Sequence, residues 1–382
     1  MCGAMRNLRP LPVSIVLAAA AVAALVCGRP TAARAGEPLP PVPFVIDHSL
    51  SDRNRAVRPW EAEQHYRGPI FDTHVHLALP DAGVVPAFME HAHVRRIIVM
   101  EAPATGFKSH AATQLYATLM DLPERSNGKI KVLCAVNDLG SWTMQAAYAN
   151  RMPSPDEIKS HMDHLADELK SDRCSGVGEL GFRHYDHGVG DVVISLPAGY
   201  PPLLAIAETV AASGKVLDIH AEPGEPNGAR HEEEVFGTVA AMFQRAPNLH
   251  LILSHTGMTN AHNARALLAA YPNLMMNVNF STHTAGKLDW EYLEPLTRAD
   301  NRLYADWADL FEEFSDRFMV GTDLFFAARG YDAEMYRKNI VSIRMKLGSL
   351  KPEVARLIAF GNAKRLFDHE AGDHQRGERD DD

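Results

Sequence analysis

The chain has 382 residues, 46% of them hydrophobic and 23% charged. That balance excludes a collagen-like, low-complexity or wholly disordered protein, and a single long apolar run excludes a multi-span membrane protein. The net charge of −10 repels polyanions, so the expected partner is a small-molecule substrate rather than nucleic acid.

Arg6 and Arg9 precede an apolar stretch over 11–27, and Ala33 and Ala35 form an Ala-x-Ala arrangement. This reads as a signal peptide over 1–35, cleaved near Ala35, and implies export to the periplasm or the exterior. The run falls short of the ~20 residues that a span needs, so no stable membrane span is expected after cleavage. Cleavage removes Arg6, Arg9, Arg29 and Arg34 and no acid, deepening the net charge to about −14. It leaves two cysteines, Cys134 and Cys174. Pairing in an oxidising compartment and burial as small apolar residues are equally open to them. Residues 36–66 read as an arm lying on the domain. Residues 368–382, charged and ending in three aspartates, read as a solvated disordered tail.

Between arm and tail, apolar or β-branched runs predict strands at 69–76, 94–100, 130–136, 176–182, 215–220, 250–255, 274–280 and 318–323. Helical patterns separate them at 86–93, 109–120, 155–170, 203–212, 233–244, 261–270 and 303–314, with two more at 333–346 and 351–367. Eight alternations predict an α/β fold, a (β/α)8 TIM barrel forming one catalytic domain over 67–367. An open doubly wound sheet is the runner-up, weakened because no Gly-x-Gly-x-x-Gly opens a helix. The long connections 183–202 and 281–301 leave the C-terminal face, where barrels carry their active sites.

The chemistry collects at the strand ends. In Phe71-Asp72-Thr73-His74-Val75-His76, alternation puts Asp72, His74 and His76 on one face. The fifth run ends on His220, the sixth on His255 and the eighth on Asp323. Any one of these suits a hydrogen-bonded buried polar group. As a set they suit a divalent metal, zinc first, with manganese, iron, cobalt or nickel as substitutes. Glu179, in Gly178-Glu179-Leu180-Gly181 on the fourth run, shares its face with Val177, Gly181 and Arg183.

This constellation resembles the amidohydrolase superfamily of metal-dependent barrel hydrolases. Asp72-Thr73-His74-Val75-His76 is similar to its first-strand His-x-His motif, His220 and His255 to its fifth- and sixth-strand histidines, and Asp323 to its last-strand aspartate. Gly361-Asn362-Ala363-Lys364-Arg365-Leu366-Phe367 resembles the closing segment of amidohydrolase family 2. The fourth strand has no lysine to carboxylate. It resembles instead the Gly-Glu-x-Gly strand of TatD-like deoxyribonucleases, where the glutamate helps hold two metals.

The resemblance implies a metal site built from His74, His76, Glu179, His220, His255 and Asp323, holding one or two ions. It implies Asp323 as the general base, with His255 either a ligand or a contact to substrate or water. Asp72 and Asp218 are candidates to orient the imidazoles, and Arg183, His184, Glu222 and His283 are candidate substrate contacts. The leading function is hydrolysis of an ester, lactone, amide or phosphoester of a small molecule. A non-oxidative decarboxylase is the second reading, and an exported metal-binding protein without turnover the third. Oligomeric state is left open.

Overall fold

The structure is a computed structural model that describes residues 38–59, 65–101, 110–185, 194–225, 228–279, 294–298, 300–328 and 330–368. The expected signal peptide, His283, residues 186–193 of the first long connection, most of the second and nearly all of the tail lie outside the described residues.

Ten strands are described: β1 (Phe71–Leu77), β2 (Arg96–Met100), β3 (Ile130–Val132), β4 (Gly176–His184), β5 (Ile194–Ser195), β6 (Val216–Ala221), β7 (His250–Leu253), β8 (Leu274–Val278), β9 (Phe318–Val320) and β10 (Leu324–Phe326). They form two ladders, β10-β1-β2-β3 and β5-β4-β6-β7-β8-β9. Every pairing is parallel except that of the short β5 with β4.

Two seams join the ladders into a closed barrel. At the first, Cys134 N–H donates to Gly176 O and Ser175 N–H to Val132 O, both at 2.8 Å. A Cys134–Cys174 disulfide lies across it, with the Cα atoms 5.6 Å apart. At the second, Asp323 N–H donates to His74 O at 2.8 Å and Thr73 Oγ1 to Val320 O at 2.8 Å. All eight expected barrel strands are present. The cysteine alternative closes on pairing.

The helices are α1 (Val84–Ala92), α2 (His110–Arg125), α3 (Val136–Tyr148), α4 (Pro155–Glu168), α5 (Pro201–Ser213), α6 (Glu232–Arg245), α7 (Ala261–Ala270), α8 (Ala305–Glu313) and α9 (Ala333–Leu347). Three boundaries differ from the sequence expectation. The run 130–136 does not stay extended: Ala135 turns left-handed at φ 64° and opens α3, a helix the apolar pattern did not suggest. The run 318–323 breaks at 321–323, because the chain leaves β8 and joins β1 as β10. The final helical stretch divides into Pro352–Arg356, a π turn Leu357–Gly361 and Asn362–Phe367.

The barrel interior is layered. At its base Phe71, Ile98, Val216, Ile252, Met275 and Met319 form an apolar cluster with Phe367, and Phe360 packs against it. Asn362 secures this plug by donating to the carbonyls of Ser315 at 2.7 Å and Phe318 at 2.8 Å. Above lies a polar layer of Asp218, Ser254, Asn277 and His74. Two glycines make room for it: a Cβ on Gly178 would come within 2.6 Å of Asp218 Cβ, and one on Gly321 within 2.8 Å of His74 Cβ. Both positions exclude any larger residue without a shift of the neighbouring chain.

The arm lies on the outside. Leu39 packs on Gly237, Phe44 meets Phe236 at 6.2 Å between centroids, and Arg55 stacks 3.7 Å over Tyr304. Among the described residues no helix is long and apolar enough to cross a membrane.

Candidate active site

The uppermost layer brings six of the expected residues into one pocket at the C-terminal face. His74 and His76 come from β1, Glu179 from β4, His220 from β6, His255 from the turn after β7 and Asp323 from the break before β10. His74, His76, Glu179, His220 and His255 are buried, while the Asp323 side chain is 28% exposed and faces the mouth.

Two of the six sit in left-handed backbone. Asp323 has φ 56°. His255, Thr256 and Gly257 form a left-handed turn, with φ 53°, 58° and 67°. Such conformations cost a non-glycine residue about 1–2 kcal/mol and persist where the surroundings over-determine them. Here Asn277 Oδ1 accepts from His255 N–H at 2.8 Å, and His74 O holds Asp323 N–H.

The donor atoms are spaced as ligands of a metal are. His74 Nε2 and His76 Nε2 lie 3.2 Å apart, and each is 3.4 Å from Glu179 Oε2. Asp323 Oδ1 is 3.2 Å from His76 Nε2 and 3.8 Å from His74 Nε2. Tetrahedral ligands bound at 2.0–2.1 Å stand about 3.3 Å from one another. The other oxygen of the same carboxylate, Glu179 Oε1, faces His220 Nδ1 at 2.8 Å and His255 Nε2 at 3.3 Å. Among the described residues the buried His255 ring makes no hydrogen bond through either nitrogen, which leaves a lone pair for an ion. The residues present therefore fit a divalent cation.

Electrostatics agree with that fit. Burial alone would raise the Glu179 carboxyl, but the charges of His220 and His74 hold it well below the usual range. Burial alone would lower His220, but the Glu179 carboxylate raises it to about 10. The same opposition, won by Glu179 and Asp218, holds His74 well above its ordinary value. Burial is again outweighed at Asp323, where His255 and His76 keep the carboxylate ionised. The pocket's carboxylates favour positive charge at its centre.

The surrounding residues divide by role. His76 Nδ1–H donates to Glu101 O at 3.1 Å, which leaves Nε2 for the pocket. Asp218 Oδ2 lies 3.5 Å and Asn277 Nδ2 2.9 Å from His74 Nδ1. Asp218 thus stands behind an imidazole as the sequence suggested. Asp72 does not: it accepts from Thr322 N–H at 3.0 Å, Thr322 Oγ1 at 2.7 Å and Tyr336 OH at 3.0 Å. It braces β1 against the Gly321–Asp323 break, and burial pushes its carboxyl up to about 6 despite these bonds.

Of the four expected substrate contacts, His283 lies outside the described residues, and the structure separates the other three. His184 Nδ1 and Glu222 Oε1 sit 2.7 Å apart beside His220. Arg183 points elsewhere, because the register of β4 shifts between Gly181 and Arg183. Its guanidinium is buried, donating to Tyr185 OH at 3.0 Å and to Glu234, with Glu225 3.7 Å away. Among the described residues it is engaged by Glu234 of α6 and by Glu225. Asn277 and Glu101 went unrecognised in the sequence, since a lone asparagine and a backbone carbonyl carry no motif.

A barrel closed by eight parallel strands, with this pocket at its C-terminal face, defines a metal-dependent barrel enzyme. The amidohydrolase family model matches residues 144–369, more than half of the chain. The chain belongs to the amidohydrolase family and is a metal-dependent enzyme of the hydrolase type. Glu179, His220, His255 and Asp323 lie inside the match, and His74 and His76 precede it.

Solved structures that resemble it include the IDCase of Metarhizium anisopliae, with 16% identity over 79% of this chain and 97% of that one and a TM-score of 0.48. The 4-oxalomesaconate hydratase LigJ of Rhodopseudomonas palustris shares 13% identity over 78% and 95%, with a TM-score of 0.48. A dihydroorotase of Campylobacter jejuni shares 14% over 82% and 87%, with a TM-score of 0.43. No curated protein matches the chain in sequence.

Proposed function

We propose that this protein is an exported hydrolase that uses two divalent metals, zinc first, bridged by Glu179, to cleave an ester, lactone, amide or phosphoester of a small molecule. The observation that carries the reading is the division of one carboxylate: Glu179 Oε2 faces His74 and His76, and Oε1 faces His220 and His255. On this reading His74, His76 and Asp323 complete one ion's ligands, and His220 and His255 complete the other's.

When bound, such ions acidify water and polarise the scissile oxygen. The chain's own residues do the rest. Asp323 stays ionised beside His255 and His76 and reaches the mouth, so its carboxylate takes a proton from the attacking water and returns it to the leaving group. The apolar plug closes the pocket from below and confines solvent access to the C-terminal face. His184, whose side chain is 25% exposed, borders the same opening and meets the substrate there. Export is supported by the targeting pattern over 1–35 and by the Cys134–Cys174 bond, which persists in oxidising compartments.

The test is a panel of small esters, lactones, amides, phosphoesters and aromatic carboxylic acids, assayed after chelation and after zinc reloading. Zinc-restored hydrolysis, falling about 10²–10⁴-fold in Asp323→Asn, is the expected result. Zinc-restored loss of carbon dioxide without hydrolysis contradicts the reading in favour of a decarboxylase.

A further inference from the structure

The ring of His220 touches a carboxylate on each side. Its Nδ1 lies 2.8 Å from Glu179 Oε1, inside the candidate metal pocket. Its Nε2 lies 2.9 Å from Glu222 Oε1, outside it. A neutral imidazole carries one proton, and an ionised carboxylate only accepts. The histidine can therefore give its proton to one of these neighbours and its lone pair to an ion on the other side.

Glu222 is built to take that proton. It is fully buried, and the same Oε1 accepts from Tyr185 N–H at 3.0 Å. His184 Nδ1 reaches it at 2.7 Å, and Glu222 N–H donates to Arg183 O at 3.0 Å. These contacts fix the carboxylate from β4 and from its own strand end, so it cannot turn away from His220. Opposite, the His76 ring is fixed the other way round: its Nδ1–H is held by Glu101 O, and Nε2 faces the pocket.

Resting on the metal-centre reading above, we propose that Glu222 is a positioning residue: it keeps the proton of His220 on Nε2 and so reserves Nδ1 for the metal, with His184 completing the cradle. A metal between His184, His220 and Glu222 themselves fits less well. His184 Nδ1 and His220 Nε2 are 3.0 Å apart, and Glu222 Oε1 stands 2.7 Å from the first and 2.9 Å from the second. All three are hydrogen-bond lengths, whereas in the pocket only the His220 Nδ1–Glu179 Oε1 contact, at 2.8 Å, is as short, and His255, His74 and His76 stand 3.3–3.4 Å from the Glu179 oxygens, near the about 3.3 Å that separates tetrahedral zinc ligands.

Zinc binding to the whole protein tests this, with stoichiometry and Kd read by competition against a chelating dye. Histidine-selective ¹⁵N NMR of the zinc-loaded protein reads the tautomer. The expected results are a proton on His220 Nε2 and a Kd weakened about 10–100-fold in Glu222→Ala. Glu222→Gln, whose amide oxygen still accepts, recovers most of the affinity. Three results overturn the proposal: a zinc-loaded wild type with its proton on Nδ1, an unchanged Kd in Glu222→Ala, or one fewer zinc bound in His184→Ala, which makes the cradle a metal site. The wild-type tautomer decides the matter even where Glu222→Ala fails to fold. Failure of the wild type to bind zinc overturns the metal-centre reading and this proposal together, whereas an unchanged Kd in Glu222→Ala overturns this proposal alone.

Discussion

The two seams of the barrel do the same geometric job by different chemistry. Between β3 and β4 the ladders are tied by backbone hydrogen bonds and a disulfide. Between β9 and β1 they are tied by a buried carboxylate, Asp72, which gathers Thr322 and the distant Tyr336. The first is covalent and carries none of the candidate ligands. The second carries two candidate ligands directly, since Asp323 N–H rests on His74 O. The difference teaches where stability and chemistry separate. A cross-link limits the unfolded chain and leaves the native pocket alone, whereas a buried polar brace fixes the geometry of whatever it holds.

Breaking the polar seam gives the largest effect. Asp72→Ala strands the donors of Thr322 and Tyr336, each at about 1–3 kcal/mol. Urea unfolding is expected to show about 3–5 kcal/mol of lost stability. Zinc affinity falls with it because His74 and Asp323 lose their common support. A variant that loses stability while binding zinc as tightly as the wild type would erase the contrast between the seams.

Breaking the covalent seam comes next. Cys134 and Cys174 are 40 residues apart in sequence, and opening such a loop costs about 2–4 kcal/mol in the usual range. Paired Cys134→Ser and Cys174→Ser substitutions, or reduction by dithiothreitol, should lower the unfolding free energy read from urea titration by that amount. Zinc stoichiometry and turnover of the still-folded protein should stay within about twofold. Loss of turnover at a temperature where the fold persists shows instead that this seam positions Glu179, five residues after Cys174.

The smallest effect lies behind the polar seam. Lys346 is buried on α9, the helix that also carries Tyr336 to Asp72, and burial lowers its ammonium to about 8. Below that pH the folded state holds a charge that burial disfavours. As pH rises from about 8 to about 10.5, the unfolded chain binds more protons than the folded one, so this group's penalty fades and stability rises. Lys346→Met is expected to stabilise the protein by about 1–3 kcal/mol at pH 7. The advantage should shrink towards pH 10 in denaturant titrations at several pH values. A difference that is flat with pH contradicts the sign.

The barrel was legible because its strands are short, near-continuous apolar runs ending on polar residues, the pattern of parallel strands buried on both faces. The candidate ligand set was legible because His74 and His76, His220, His255 and Asp323 each sit at such an end. What was not legible depends on geometry that a linear pattern does not encode. Arg183 shares strict alternation with Glu179, but the register shift in β4 sends it to Glu234 and brings His184 to the pocket instead. Asp72 was placed beside an imidazole because it lies two residues from His74. Its side-chain partners, Thr322 and Tyr336, are 250 and 264 positions away. The helix α3 was hidden because a left-handed Ala135 redirects a run that reads as one strand.

Whether Glu179 holds two ions is tested most directly by metal content, measured by plasma mass spectrometry. After reconstitution with zinc and removal of the excess, the wild type should carry near two ions per chain and Glu179→Gln about one. Near one ion in both proteins contradicts the bridge and leaves a single-metal centre in its place.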